Sequence, residues 1–214
     1  GASIVDFSNL NIIFAHLNEM ETVAIQQFAG AKGLTLNSIM QAAWAMSSAR
    51  HSGPVVFGAT TSARLLHGIH YDGTVGLFFN DIPIVVHVED QDIEQLATVI
   101  QHDFQANSPY SYLSSYDIAE MLGRGPEEAP YDSLVVFENY PKMQEDSLKE
   151  SRRGRVKNVA YWRRDMADIP LTVYVEIRDG RMTIKFSYND AVLSQEEAQA
   201  RIDTFVRIVR ACTS

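Results

Sequence analysis

Six histidines, at positions 16, 51, 67, 70, 87 and 102, are the side chains best suited to general-base or metal chemistry near neutral pH. They are scattered, apart from His67-Gly-Ile-His70, which runs on into Tyr71-Asp72-Gly73. Two histidines without a placed third ligand seldom hold a metal, so no metal site is expected. The lone Cys212 removes a disulfide framework and a cysteine-rich zinc site together. The other chemistry-bearing residues stand at the ends of apolar runs. Ser62 and Arg64 close one such run, and Asn80 follows another. A hydroxyl and a guanidinium at a strand end can hold an amine or a carbonyl, or can close the strand and form an ion pair. An asparagine amide there can satisfy backbone groups where a sheet splits. Glu138-Asn139-Tyr140-Pro141 ends a third run.

The elements that must position these residues are legible in the periodicity. Residues 9–17 read as a strand entering a core, with Leu10, Ile12 and Phe14 at period two. A helical pattern follows Glu19 and stops at Gly33. Thr35 can cap a second helix, in which Leu36, Ile39, Met40, Ala43 and Trp44 form one stripe, with its end expected near Ser52-Gly53. Residues 55–61 and 82–88 are β-rich runs, the latter apolar on both faces, and such strands are normally covered by helices. Asp92 and Gln95 make a capping box for a helix striped by Ile93, Leu96, Ala97, Ile100 and Phe104. A Tyr/Ser-rich stretch, residues 110–116, leads to a short helix stopping at Gly123-Arg-Gly-Pro126; its Tyr110, Tyr112 and Tyr116 suit half-exposed packing better than a tunnel lining.

A strand at 134–137 precedes two alternating strands, Leu171/Val173/Val175/Ile177 and Met182/Ile184/Phe186/Tyr188, joined by the hairpin signal Asp179-Gly180. Ser194 and Glu197 then cap a last helix whose Ala198, Ile202, Phe205, Val206 and Val209 face a core. Strands and helices interleave, yet the hairpin demands antiparallel pairing. The fold class expected is therefore α/β, an α+β sandwich with helices packed on a mixed β-sheet.

Composition narrows the partners. The 214 residues carry 18 Lys+Arg against 27 Asp+Glu, a net charge of −9, which disfavours a nucleic-acid phosphate backbone as partner. No stretch approaches the roughly 20 apolar residues of a membrane span. The opening residues lack the pattern of a signal peptide, so a cytoplasmic location without membrane contact is expected. Charge is polarised. Between 142 and 157 stand Lys142, Lys149, Arg152, Arg153, Arg155 and Lys157 against Glu145, Asp146 and Glu150, leaving −12 on the remainder. Such a run is ordinarily a solvated face, although Arg152, Arg153 and Arg155 could also meet an acidic partner or a phosphate.

Five segments in order resemble the C-terminal half of the condensation domains of nonribosomal peptide synthetases. Thr35-Leu-Asn-Ser-Ile-Met-Gln-Ala-Ala-Trp-Ala-Met46 is similar to the family's TLNTLLQAAWAL helix. Val56-Phe-Gly-Ala-Thr-Thr-Ser-Ala-Arg64 resembles VFGTTVSGR, and Val75-Gly-Leu-Phe-Phe-Asn-Asp-Ile-Pro83 resembles VGLFINTLP. Tyr131-Asp-Ser-Leu-Val-Val-Phe-Glu-Asn-Tyr-Pro141 is close to FDSLVVFENYP, and Ile169-Pro-Leu-Thr172 with Phe186-Ser-Tyr-Asn-Asp190 matches the closing strands. Three positions depart: Ala63 replaces the usual Gly, Asp81 a common Thr and Val85 a common Arg.

The resemblance implies one lobe of a chloramphenicol acetyltransferase-like two-lobe domain, with residues 1–214 forming the C-terminal lobe. In that family an acceptor amine attacks a carrier-bound thioester in a tunnel between the lobes, and the HHxxxDG histidine belongs to the N-terminal lobe. His67-Gly-Ile-His-Tyr-Asp-Gly73 matches that motif at its first His, Asp and Gly, but Gly68 stands at the histidine on which the chemistry depends. No catalytic residue is therefore assigned here. The implied roles are tunnel contacts for Ser62, Arg64 and Asn80, a lobe crossover for Glu138, Asn139 and Tyr140, and carrier docking for Arg152, Arg153 and Arg155. The implied partners are the N-terminal lobe and peptidyl or acyl carrier proteins. No cofactor is expected to bind directly, since the substrates ride on 4'-phosphopantetheine arms. A non-catalytic module that recruits a carrier or tailoring enzyme, and half of another acyltransferase of this fold, are the alternatives.

Overall fold

A computed structural model describes residues 10–49, 53–62, 79–125, 130–138 and 169–212. In chain order these form β1 (Leu10–Leu17), α1 (Glu19–Lys32), α2 (Leu36–Ser48), β2 (Val55–Ser62), β3 (Phe79–Val86), α3 (Ile93–Asn107), α4 (Ser115–Met121), β4 (Ser133–Glu138), β5 (Leu171–Arg178), β6 (Arg181–Asn189) and α5 (Gln195–Ala211). The strands make one six-stranded sheet in the order β1-β6-β5-β4-β2-β3. Its centre is parallel, β5 to β4 and β4 to β2, and its margins are antiparallel. The expected mixed sheet is thus found.

Local chemistry sets the helix ends. Asn18 with Glu21, Asp92 with Gln95, Ser114 with Asp117 and Ser194 with Glu197 form reciprocal capping boxes at α1, α3, α4 and α5. The carboxyls of Glu21, Asp117 and Glu197 are held below their usual range, first by the cap residue each bonds: the Asn18 backbone N–H, the Ser114 hydroxyl and the Ser194 hydroxyl. Gly33 ends α1 at φ +66°, a conformation that costs glycine nothing. The β5–β6 turn has positive φ at both Asp179 and Gly180, as a two-residue type I′ hairpin requires.

One face of the sheet carries the core. Ile13, Ala15 and Leu17 of β1, Met182, Ile184 and Phe186 of β6, Val173 and Val175 of β5, Val135 of β4, Phe57 and Ala59 of β2, and Ile82 and Ile84 of β3 pack there with α1, α2, α3 and α5. Trp44 of α2 is at its centre, fully buried, against Phe186 at 5.8 Å and Phe205 at 6.4 Å between ring centroids. Its indole N–H donates to Ser133 Oγ at 3.3 Å. Polar side chains also tie layers together. Gln101 of α3 accepts from Thr35 N and Ser38 Oγ and donates to Gly33 O, locking α3 to the start of α2. Thr22 Oγ1 accepts from Met182 N at 3.0 Å and joins α1 to β6.

Three expectations are corrected. Ile12 and Phe14 are 50% and 57% exposed, and the alternate set, Ile13, Ala15 and Leu17, faces the core. Both alternating sets of β1 are apolar, and pairing of Ile13, Ala15 and Leu17 with Phe186, Ile184 and Met182 decides between them. The second helix ends at Ser48, ahead of Ser52-Gly53. β3 spans Phe79–Val86 instead of 82–88, because its full length pairs with β2. The stripe read for the last helix, by contrast, is the set of five buried residues found in α5.

Candidate functional site

The register of the strands creates an opening in the sheet. β2 pairs with β3 over eight positions and β4 with β5 over six, but β2 and β4 share only Gly58–Leu134 and Ala59–Val135. Beyond those pairs Thr60, Thr61 and Ser62 have no ladder partner on β4, and Val136, Phe137 and Glu138 have none on β2. The parting lies at the carboxyl ends of parallel strands, where ligands of open α/β sheets are usually held.

Three of the residues singled out in the sequence meet at this end of the sheet. Ser62 closes β2 opposite Phe79, Asn80 lies opposite Thr61, and Glu138 closes β4. Asn80 donates its side-chain amide to Ser111 O at 2.7 Å and Leu113 O at 2.6 Å. It thereby fastens the turn after α3 to the start of β3. Arg64, Asn139, Tyr140, Arg152, Arg153, Arg155 and the His67–His70 pair lie outside the described residues.

Sequence reasoning missed the arrangement beside the opening, on the sheet face opposite the core. Thr60 and Asp81 are register partners, and the Thr60 hydroxyl donates to Asp81 Oδ1 at 2.6 Å. Further along β2, on the same face, the ring of Tyr131 lies over Gly58. A Cβ at that glycine would stand 2.6 Å from Tyr131 Cζ and 2.9 Å from Leu134 Cδ1, so no other residue fits beneath the ring. Tyr131 is 6% exposed, and burial first, then the negative charge of Asp81, pushes its phenol well above the ordinary tyrosine range. It is a neutral hydroxyl at any physiological pH. Two signals could have pointed here: a glycine inside an apolar strand, which marks close approach of another group, and a carboxylate inside another.

Tyr131 also borders an open groove of 590 Å³ at the opposite end of β2, which includes Val56, Val85, Leu122 and Pro54 in its lining. Val85 and Leu122 are 57% and 60% exposed. The arrangement offers hydrogen-bond acceptors at a strand parting and apolar surface next to it. Among the described residues there is no group of three or more metal-ligating side chains, and no helix is long and apolar enough to cross a membrane. Cys212 is buried, which pushes its thiol up to about 11 and leaves it a poor nucleophile near neutrality.

Known proteins share this fold and this sequence pattern. The chain is 35% identical over 136 residues to a plipastatin synthase polypeptide of Bacillus subtilis (strain 168), covering 63% of this chain and 5% of that protein. It is 27% identical over 198 residues to a linear gramicidin synthase polypeptide of Brevibacillus parabrevis, covering 90% of this chain and 2% of that protein. The chain therefore spans a small fraction of these curated relatives. Among solved structures, the first condensation domain of the CDA synthetase superposes with a TM-score of 0.67 at 15% identity, covering 95% of this chain and 45% of the other. The epimerization domain from the third module of a tyrocidine synthetase superposes with a TM-score of 0.70 at 12% identity, covering 100% and 50%. Fold alone thus does not select between those two reactions. The condensation domain model matches residues 6–214, and the chain belongs to the condensation domain family.

Proposed function

We propose that this chain is the C-terminal lobe of a nonribosomal peptide synthetase condensation domain. It supplies one wall of the tunnel in which an acceptor amine attacks a carrier-bound acyl or peptidyl thioester to form an amide. The observation that carries the reading is the coverage of solved domains: nearly all of this chain superposes on less than half of a condensation domain.

The lobe's contribution is to position two tethered reactants, which raises their effective concentration, while proton handling falls to the histidine motif of the N-terminal lobe. The strand parting at Ser62, Asn80 and Glu138 supports a tunnel wall at that end of the sheet. Carrier proteins bearing 4'-phosphopantetheine arms are the partners this requires, and Arg152, Arg153 and Arg155 are the carrier-docking residues of the proposal.

The test is reconstitution. The 214-residue chain, mixed with an N-terminal lobe carrying an intact HHxxxDG and with two loaded carriers, is expected to give amide product by mass spectrometry. The chain with carriers alone is expected to give none. Product from the chain alone overturns the reading. Carrier binding without product from the reconstituted pair also overturns it, in favour of a recruiting module.

A further inference from the structure

The two margins of the sheet differ in what they present to a further strand. β3, at one margin, carries Pro83, which has no N–H to offer, and Asp81, a charge that an added strand would have to accommodate. β1, at the other, reads Leu-Asn-Ile-Ile-Phe-Ala-His-Leu, with no proline, glycine, lysine or acid, and its eight residues pair with β6 one to one without a bulge. From Ile12 to Leu17 its outer side meets no strand among the described residues. Sheet edges are ordinarily blunted by charge, proline or bulges, so a regular apolar edge is a pairing surface. Ile12 and Phe14 are exposed on the face away from the helices, and His16 stacks on Phe14.

A second observation points to the occupant. On the helix side the same margin opens into a groove of 420 Å³ between β1 and α5, lined by Ala15 and His16 and by Asp203, Val206, Arg207 and Arg210. Arg210 is engaged by Glu21 at 2.8 Å, whereas Arg207 has no hydrogen bond or ion pair among the described residues. Asp203, one turn before Arg207, does not pair with it and accepts a bond from the neutral amide of Gln199 at 2.9 Å. An acid and a base one turn apart on an exposed helix face are self-complementary: turned about a two-fold axis, each acid meets the other copy's base.

We propose that β1 is a homotypic docking surface, on which a second copy of this chain adds its own β1 antiparallel about a two-fold axis near Phe14. The pairing sets Phe14 against its counterpart and Ile12 against His16 of the other copy, joins the two six-stranded sheets into one, and brings Asp203 of each copy to Arg207 of the other. None of these contacts depends on the tunnel reading. Sedimentation equilibrium of the 214-residue chain over a range of concentrations is expected to show a monomer–dimer equilibrium, and a mixture of isotope-labelled and unlabelled copies to give filtered NOEs from β1 to β1. Phe14→Lys is expected to weaken the dimer by about tenfold or more while leaving the unfolding of the dilute monomer little changed. Asp203→Arg and Arg207→Asp each set like charges together and should each weaken it as well. An equimolar mixture of those two variants should recover the dimer as a heterodimer, because opposite charges then meet at both contacts.

A chain that stays monomeric at every concentration overturns the proposal. So does a dimer that Phe14→Lys leaves intact, or one whose intermolecular NOEs do not join β1 to β1. Failure of the mixed Asp203→Arg and Arg207→Asp variants to associate overturns the charge pairing that selects a second copy as the occupant. A Phe14→Lys variant that keeps the dimer and loses binding of an N-terminal lobe also overturns it, since the edge then belongs to the lobe interface.

Discussion

The two faces of the sheet are built from the same strands and differ in what completes them. On one, Trp44, Phe186, Phe205 and Ile184 are fully buried by the chain's own helices. On the other, Ile12, Phe14 and Val85 are half or more exposed, and the Thr60–Asp81 pair leaves a carboxylate oxygen open. Large apolar burial by helices is concentrated on the first face, while the second mixes buried groups such as Tyr131 and Leu134 with exposed apolar ones. Removing groups from the helix-covered face should therefore unfold the lobe, while changes opposite should cost stability only where a group is buried there and little at its exposed positions.

The largest effect is expected at Trp44. Its truncation to Ala removes a fully buried indole from between Phe186 and Phe205 and leaves the Ser133 hydroxyl without its donor. Denaturant unfolding should show a loss of about 3–5 kcal/mol, a large part of a domain's usual stability. Trp44→Phe, which keeps a ring and loses the N–H, should cost less. Equal losses in the two variants would mean that the hydrogen bond, and not the packing, governs this site.

An intermediate effect is expected at Gly58, on the opposite face but beneath a buried ring. An added methyl must displace Tyr131 and Leu134, and Gly58→Ala should cost about 1–3 kcal/mol. The same methyl added to a Tyr131→Ala background should cost much less, so the two changes should be strongly coupled in a double-mutant cycle. Additive losses would show that the glycine is required by the strand itself and not by the ring above it.

The helix-covered face is legible in the sequence because each of its signals is local. The cap of α5 and its five buried residues lie within one helix of sequence, and the Asp179-Gly180 hairpin within two residues. The opposite face depends on pairings across long separations. The parting of β2 from β4 follows from a ladder joining Ala59 to Val135, and nothing in either apolar run announces that the ladder stops after two pairs. The parity of β1 escapes a sequence reading for a related reason: its two alternating sets are both apolar, and only β6, more than 160 residues away, selects one. The site is half legible. Ser62, Asn80 and Glu138 are marked out because polar residues end their runs, whereas Asp81 stands out only as a departure from the family's usual Thr. Its pairing with Thr60 needs the register.

The smallest expected effect tests the division most directly. Phe14 and Ile12 are large apolar side chains in a strand, and by residue type alone their replacement would resemble a core mutation. Their exposure predicts otherwise: little area is withdrawn from water at either position, and Phe14 stacks on the exposed ring of His16, at 6.3 Å between ring centroids. Phe14→Ser should change unfolding stability by no more than about 0.5 kcal/mol, as for an ordinary surface substitution. Phe186→Ser, in the next strand and on the other face, should be severely destabilising. If the two losses were similar, the apolar edge of β1 would already be covered within this chain. A near-silent Phe14→Ser that weakens assembly with an N-terminal lobe would instead place the lobe interface on that edge, because exposed apolar area that does not support folding is retained for contact.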